Sequence, residues 1–125
     1  MAKILIIEDD PNVRAAIEHG LTQAGHSVLP TANGKEGMNA LRQSTVDLVV
    51  TDIFMPEQEG LETITALRKQ YPKLPVIAIS GGNVVSEAML SVARELGAQE
   101  VIEKPFGLNS LLTAVGKVLG NSKTQ

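Results

Sequence analysis

Short apolar runs recur along the chain, separated by stretches in which apolar residues return every three or four positions. The runs are residues 4–7, 26–32, 48–52, 75–79 and 99–102, of which the second is the weakest. Most are rich in Val and Ile, and all are shorter than a typical helix. Such runs predict strands that are buried on both faces, as in a parallel sheet.

The stretches between these runs predict helices. Five are expected, beginning at Pro11, after Gly34, near Leu61, near Val84 and near Leu108. Asp10 before Pro11 is typical of a helix start. Gly25, Pro72 and Gly97 are each placed to end a helix. Strands and helices therefore alternate five times, which predicts an α/β fold: a doubly wound, five-stranded parallel sheet with helices on both faces.

Length and composition narrow the possible functions. The 125 residues carry a formal net charge of -3 and include no cysteine. They fit one domain, expected over residues 1–120, with residues 121–125 as a polar tail or the start of a linker. The charge argues against a nucleic-acid or anionic-membrane surface, and the lack of cysteine excludes disulfides and thiolate metal sites. There is no signal-peptide pattern and no apolar run of about 18 residues, so we expect a cytoplasmic protein.

Polar side chains follow the predicted strands at their carboxyl ends, where ligands bind in open parallel sheets. Four strands contribute, and the residues are Glu8 and Asp9, Asp52, Ser80 and Lys104. Asp10 is left out of this set because its position before a proline predicts a structural role as a helix cap. His19 and His26 have no partner histidine at metal-ligand spacing and are interpreted as surface residues.

Three carboxylates at one edge of a sheet need a cation, because like charges about 4 Å apart repel by roughly 4 kcal/mol at an effective dielectric near 20. Carboxylate ligands with room for water suit Mg²⁺, or alternatively Mn²⁺, rather than zinc. The Lys104 ammonium can reach both a carboxylate and an incoming phosphate. The Ser80 hydroxyl, with the amides of Gly81 and Gly82, can hold anionic oxygens. The set therefore predicts phosphoryl transfer onto a carboxylate, a known use of Asp as a nucleophile.

These residues lie in motifs that resemble those of the receiver domain of bacterial two-component response regulators. In chain order the motifs are Ile7-Glu8-Asp9-Asp10, Asp52-Ile53-Phe54-Met55-Pro56 with Gly60, Ser80, and Lys104-Pro105-Phe106. The resemblance extends from Lys3 to about Leu119. It implies a flavodoxin-like sheet with the strand order 2-1-3-4-5.

The resemblance implies a role for each site residue. Asp52 is expected to be the phosphoacceptor. The expected protein ligands of Mg²⁺ are Glu8 through a water, Asp9 and Asp52 directly, and the backbone carbonyl of Phe54. Ser80 and Lys104 are expected to grip the phosphoryl group, and the bond between Lys104 and the following proline is expected to be cis.

The resemblance also implies a signalling protein and not an enzyme with an external substrate. The phosphoryl donor would be a sensor histidine kinase or a phosphotransfer protein, and the chain itself would only accept phosphate and slowly lose it again. The output protein or domain is unknown, and no direct contact with nucleic acid or membrane is expected. One residue departs from the family: Val101 stands three residues before Lys104, where receivers usually have Tyr or Phe. We therefore expect the signal to leave through the loop and helix that follow Ser80.

Other readings stay open on the residues alone. The chain could be the amino-terminal receiver of a longer regulator. A haloacid dehalogenase-type phosphatase of similar topology needs an Asp-x-Asp element, but Phe54 stands two residues after Asp52. A flavodoxin-like flavin protein needs a Ser, Thr or Gly-rich phosphate loop after the first strand, where this chain has Glu8-Asp9-Asp10. A yellow preparation or fast hydrolysis of phosphomonoesters would favour these enzymes.

Overall fold

The computed structural model describes residues 2–52, 59–80, 94, 95, 97–103 and 107–123, with the side chains of 59–61, 80, 103 and 121–123 excepted. The strands are β1 (Lys3–Ile7), β2 (Ser27–Thr31), β3 (Leu48–Asp52), β4 (Val76–Ser80) and β5 (Glu100–Glu103). The described helices are α1 (Pro11–Gln23), α2 (Gly34–Gln43), α3 (Glu59–Gln70) and α4 (Leu108–Lys123). The strands form one parallel sheet in the order β2-β1-β3-β4-β5, which confirms the predicted fold class and strand order.

Two apolar cores lie on opposite faces of the sheet, because successive side chains of a strand point to opposite sides. One core joins the central strands to α1 and α4, and its largest members are Ile4, Ile6, Ile17, Leu21, Leu48, Ile77, Ile79 and Leu111. The other joins the same strands to α2 and α3, and its largest members are Leu5, Ile7, Leu41, Ile64 and Leu67. Burial on both faces is why β1, β3 and β4 are continuous apolar runs in the sequence.

The helix α1 begins and ends where the sequence predicts. A carboxylate oxygen of Asp10 accepts hydrogen bonds from the amides of Asn12 and Val13 at 2.8 and 3.3 Å, so the predicted cap is confirmed. At the other end Gly25 has a φ of 99°, a left-handed conformation that glycine adopts without strain. The amides of Gly25 and His26 donate to carbonyls of the last turn at 3.0 and 3.1 Å. This pair of bonds is a Schellman motif, and it turns the chain into β2.

The strand β2 lies at an edge of the sheet, which explains its weak apolar pattern. It contains Pro30, which pairs in register with Ile6 of β1. Proline has no N–H to donate and is tolerated where no further strand pairs on the outer side. At the end of β2 the hydroxyl of Thr31 is buried and donates to the carbonyl of Ile6 at 2.7 Å. This bond fixes β2 against β1 near the carboxyl edge.

Two helix boundaries differ from the prediction. The helix α3 begins at Glu59, two residues before the predicted start near Leu61, so Glu59 and Gly60 have helical backbone. The helix α4 continues to Lys123 and includes the first three residues of the segment expected to be a polar tail. In both places the apolar periodicity marks the part of the helix that faces the core, whereas the backbone hydrogen bonds extend past it.

The helix predicted over residues 84–96 lies mostly outside the described residues. Residues 94 and 95 are helical, and Gly97 follows with a φ of 112°, in keeping with its predicted place at a helix end. In the part of the chain that the structure describes, every helix falls short of the length and apolarity that crossing a membrane requires.

Candidate functional site

Three carboxylates converge at the carboxyl edge of the sheet. Glu8 and Asp9 follow β1, and Asp52 is the last residue of the neighbouring strand β3. One oxygen from each carboxylate lies within 4.8 Å of the other two. Glu8 and Asp52 are only 1% and 2% exposed, whereas Asp9 faces solvent. The structure thus brings together the acidic residues that the sequence places at neighbouring strand ends.

Hydrogen bonds orient Glu8 at the end of β1. Its amide donates to the carbonyl of Thr31 at 3.0 Å, which extends the pairing with β2 by one residue. Its carboxylate oxygen Oε2 accepts a hydrogen bond from the amide of Asp10 at 3.0 Å. Its carbonyl accepts a bond from Nη1 of Arg14 at 2.9 Å. Hydrogen bonds to Thr31, Asp10 and Arg14 of the same chain therefore hold both the backbone and the side chain of Glu8.

The position of Asp52 follows from the register between β1 and β3. Ile7 pairs with Thr51, so Glu8 and Asp52 are the next residues on these two parallel strands. Asp52 itself pairs with Ile79 of β4, which places it between two strands. The two buried carboxylates are therefore neighbours because of sheet register, although they are far apart in the sequence.

The donor set fits a hard divalent cation. At a separation of 4.8 Å or less, the carboxylates of Glu8 and Asp52 would repel each other by at least about 3.5 kcal/mol at an effective dielectric of about 20, and a bound cation offsets this repulsion. All three donors are carboxylate oxygens, and the exposure of Asp9 leaves one side open to water. Oxygen ligands combined with retained water are the surroundings that Mg²⁺ prefers and that zinc does not.

The other predicted site residues are only partly within the described chain. Ser80 ends β4, and its backbone pairs with Glu103 of β5. Together with the pairing of Asp52 and Ile79, this register brings the ends of β3, β4 and β5 side by side. Phe54 and Lys104 lie outside the described residues, so their roles stay predictions.

Val101, the residue that departs from the family pattern, lies in β5 and pairs with Ala78 of β4. It is half-buried and packs against the core on the α2 and α3 face of the sheet. Its described surroundings are those of an ordinary core residue. The expected route of the signal, through the loop and helix after Ser80, concerns residues 81–93, which lie outside the described chain.

Arg14 is a residue near the site that sequence reasoning missed. It lies in the first turn of α1, where its amide donates to the carbonyl of Asp10 at 2.9 Å. From there its half-buried guanidinium reaches back to the Glu8 carbonyl. The sequence did carry one signal for Arg14, its spacing of four positions from the helix cap Asp10. A residue at that spacing lies one turn above the cap and on the same side of the helix. Arg14 thus places a positive charge close to the acidic cluster.

Known proteins that are similar to this chain are response regulators. The family model described as response regulator receiver domain matches residues 4–116. The DNA-binding transcriptional regulator NtrC from Bradyrhizobium sp. is 35% identical over 120 residues, which cover 96% of this chain and 25% of that protein. The probable C4-dicarboxylate response regulator DctR from Bacillus subtilis is 36% identical over 117 residues, which cover 92% of this chain and 51% of that protein. The chain therefore spans about a quarter to a half of the length of these relatives.

Two solved structures share the fold. NtrX from Brucella abortus, in complex with ADP, superposes with a TM-score of 0.89 at 32% identity and covers 98% of this chain but 28% of that one. The chemotaxis protein CheY4 from Vibrio cholerae superposes with a TM-score of 0.86 at 28% identity and covers 94% of this chain and 98% of that one. CheY4 is thus matched over nearly its whole length, whereas the matched region is a small part of NtrX.

Proposed function

Because the chain belongs to the response regulator receiver domain family, we propose that it accepts a phosphoryl group on Asp52 in a Mg²⁺-dependent reaction and thereby switches a protein-binding face. The donor is a sensor histidine kinase or a phosphotransfer protein. The observation that carries the proposal is the convergence of Glu8, Asp9 and Asp52, whose carboxylate oxygens lie within 4.8 Å of one another. Such a cluster suits a cation and an anionic ligand that bind together.

The proposed metal ligands are those of the acidic cluster and one backbone group. Asp9 and Asp52 would hold Mg²⁺, or alternatively Mn²⁺, directly, Glu8 would act through water, and the Phe54 carbonyl would complete the protein donors. When bound, the cation supplies positive charge that offsets the carboxylates and the oxygens of the incoming phosphoryl group. The amide of Asp10, 3.0 Å from Glu8, supports this role because it already orients the Glu8 carboxylate.

The proposed reaction is an in-line displacement at phosphorus. A carboxylate oxygen of Asp52 forms the new P–O bond as the P–N bond to the donor imidazole breaks, and the leaving nitrogen keeps the bonding electron pair. The product is an acyl phosphate on Asp52. The near-complete burial of Asp52 supports this choice of nucleophile, since the product would be shielded from bulk water on the strand side. No turnover of an external substrate is proposed beyond slow autodephosphorylation.

Ser80 and Lys104 are proposed to bind the phosphoryl oxygens. A hydroxyl donates a hydrogen bond to an anionic oxygen, and an ammonium adds a full positive charge. The register of the sheet supports this assignment because β4 ends at Ser80 and β5 ends at Glu103, the residue before Lys104. Since Val101 has no ring to move, closure of Ser80 on the phosphoryl group is proposed to act through the loop that follows β4.

The output of the switch is proposed to be a protein, either a further domain of the same polypeptide or a separate partner. NtrC and DctR, which this chain matches over part of their length, support the first arrangement. CheY4, matched over nearly its whole length, supports the second. A net charge of -3 gives the receiver itself little affinity for nucleic acid or an anionic membrane. The proposed location is the cytoplasm.

Labelling with acetyl phosphate tests the acceptor. The wild-type chain with Mg²⁺ should gain one phosphoryl group that hydroxylamine removes, as measured by intact-protein mass spectrometry. Asp52→Asn should gain none, because the amide keeps the shape of the side chain but lacks the nucleophilic oxygen. Asp10→Asn is the matched control: Asp10 is an exposed acid near the same strand end, and Asn caps a helix about as well. It should label nearly as the wild type does.

Stoichiometric labelling of Asp52→Asn would contradict the assignment of the acceptor. Undiminished labelling in EDTA, or of Asp9→Asn, would contradict the metal site. A yellow preparation would point instead to a flavin protein, and rapid hydrolysis of phosphomonoesters would point to a phosphatase.

Metal binding can also be measured without phosphorylation. A ligand that binds only the folded state adds about 1.4 kcal/mol to the free energy of unfolding at ten times its Kd. Mg²⁺ should therefore raise the urea midpoint of the wild type and of Asp10→Asn. It should not raise the midpoint of Asp9→Asn, since that variant loses an anionic ligand.

A further inference from the structure

His26 lies at the amino-terminal edge of the sheet, opposite the edge that carries the acidic cluster. The register pairs Lys3 of β1 with Ser27 of β2, so Ala2 and His26 are neighbours just before these strands begin. The amide of Ala2 donates a hydrogen bond to Nδ1 of His26 at 3.2 Å. The ring is half-buried, so the prediction that His26 is a surface residue holds only in part. The contact joins residues 24 positions apart, and spacing along the chain could not reveal it.

The hydrogen bond between Ala2 and His26 requires a neutral imidazole. Nδ1 accepts a hydrogen bond only when it carries no proton, which leaves the single ring proton on Nε2. Protonation would make Nδ1 a donor that faces the N–H of Ala2. The amide of Ala2, a residue only 8% exposed, would then lose the acceptor that His26 provides in the folded chain.

Other bonds show what this contact holds in place. The carbonyl of Ala2 accepts a bond from the amide of Ser27 at 2.8 Å. On the other side of β1, the amide of Lys3 donates to Oδ2 of Asp47 at 2.8 Å, and the Lys3 carbonyl accepts from the Asp47 amide at 2.7 Å. The start of β1 is therefore tied to the β2 side by His26 and Ser27 and to the β3 side by Asp47. Among these hydrogen bonds, the one from Ala2 to His26 depends on the charge of an imidazole.

A cavity of about 580 Å³ borders His26 and gives water access to this edge. Among the described residues that line it, the charged ones are Lys3 from β1 and Asp47 from the segment before β3. The uncharged lining residues are Ala2, Thr22, Gly25, Ser27 and Val28. An imidazole ordinarily titrates near pH 6.5.

We propose that His26 is a proton-operated latch on the start of β1. The neutral ring holds Ala2 against the β2 side of the sheet, and the protonated ring releases it and opens the cavity at this edge. The direction of the pH dependence follows from the geometry, because the neutral ring is the form that accepts the hydrogen bond from Ala2 in the folded chain. The contribution of the latch is therefore complete at high pH and is lost as the pH falls through the imidazole range. The device is separate from the acidic cluster at the opposite edge.

Hydrogen exchange of the Ser27 amide, which donates to Ala2, tests the latch. Protection factors, corrected for intrinsic exchange, are measured by NMR at about pH 7.5 and 5.5. The wild type should lose protection about fivefold at the lower pH, the factor expected for one ordinary hydrogen bond. His26→Gln should change by less than about twofold because its side chain does not titrate. The Val49 amide, which donates to the Pro75 carbonyl at 3.0 Å on another strand pair, is the internal reference.

His19→Gln is the matched control, since His19 is exposed on α1 and the same substitution there should leave the wild-type loss intact. An equal loss in His26→Gln and the wild type would overturn the proposal, and so would constant protection in the wild type. Should His26→Gln fail to fold, the wild type alone decides. The ¹⁵N shifts of its imidazole at pH 7.5 should show a proton on Nε2 and none on Nδ1. A proton on Nδ1 in the folded chain would overturn the latch.

Discussion

Replacing Gly37 with alanine tests how closely α2 packs on the strand that leads to the acidic cluster. Gly37 is a buried residue of α2, and a Cβ at this position would lie 2.5 Å from Cδ1 and 2.7 Å from Cγ1 of Ile7. Carbon atoms in ordinary contact are about 3.5–4.0 Å apart. The added methyl can therefore be accommodated only if Ile7 moves, and Ile7 directly precedes Glu8.

Two opposing effects determine the stability of Gly37→Ala. Alanine is favoured over glycine in a helix interior by about 1 kcal/mol. Overpacking a core costs typically about 1–3 kcal/mol. Ile7 is β-branched and fully buried, so it has few other rotamers available, and we take the middle of that range, about 2 kcal/mol. The net expectation is a loss of about 1 kcal/mol, or about 4 °C in Tm for a domain of this size.

Gly116→Ala is the matched control for this substitution. Gly116 is an exposed residue inside α4, and no atom lies within 4 Å of where its Cβ would be. Only the helix propensity acts there, so alanine should raise the free energy of unfolding by about 1 kcal/mol. The same chemical change should therefore shift stability in opposite directions in the two helices.

A double substitution tests whether the contact with Ile7 causes the loss of stability expected for Gly37→Ala. Ile7→Val removes Cδ1, the atom nearest the added methyl, and by itself should cost about 1 kcal/mol. Combined with Gly37→Ala, it should cost almost nothing, because loss of Cδ1 removes about half of the overpacking while a γ carbon stays 2.7 Å from the added methyl, a coupling of about 1 kcal/mol. Urea denaturation followed by circular dichroism, with unchanged m-values, measures all four chains. Additive effects, or a Gly37→Ala variant as stable as Gly116→Ala, would refute the reasoning.

Three further predictions concern other contacts. Asp10→Ala should lower the free energy of unfolding by about 1 kcal/mol through loss of the α1 cap, and equal urea midpoints for Asp10→Ala and Asp10→Asn would contradict this. Arg68→Lys should cost about 1–2 kcal/mol, because the guanidinium donates to two carbonyls of the following loop and an ammonium cannot match that fork. Burial lowers the pKa of Arg68, but a guanidinium stays charged, so this cost should be equal at about pH 6 and 9. Val101→Ala should leave the beryllofluoride response of amides 80–90 largely intact, and NMR shifts that centre on residue 101 would contradict it.

Features encoded by neighbouring residues were predictable from the sequence. Burial on both faces makes β1, β3 and β4 continuous apolar runs, and the alternation of such runs with helical periodicity identifies a doubly wound sheet. The cap at Asp10 depends on residues within one turn of it. The meeting of Glu8 with Asp52 also follows once the strands are parallel, since parallel strands end at the same edge. The strand order itself came from the resemblance of the motifs to a known family.

Helix boundaries were less predictable because two signals define them. Apolar periodicity shows which part of a helix faces the core, whereas the backbone hydrogen bonds of α3 begin at Glu59 and those of α4 reach Lys123. The added residues are Glu59 and Gly60 in α3 and Asn121, Ser122 and Lys123 in α4, none of them apolar, so no apolar pattern marks them. The sequence therefore located the buried faces of these helices better than their ends.

Contacts between distant residues were decided by the tertiary structure alone. The bond from Ala2 to His26, the reach of Arg14 to the Glu8 carbonyl and the closeness of Gly37 to Ile7 each depend on register and helix placement. A histidine or a glycine has the same local signature whether its partner across the fold is near or absent. Spacing along the chain records which side of an element a residue occupies, but only packing of the elements decides which atoms meet.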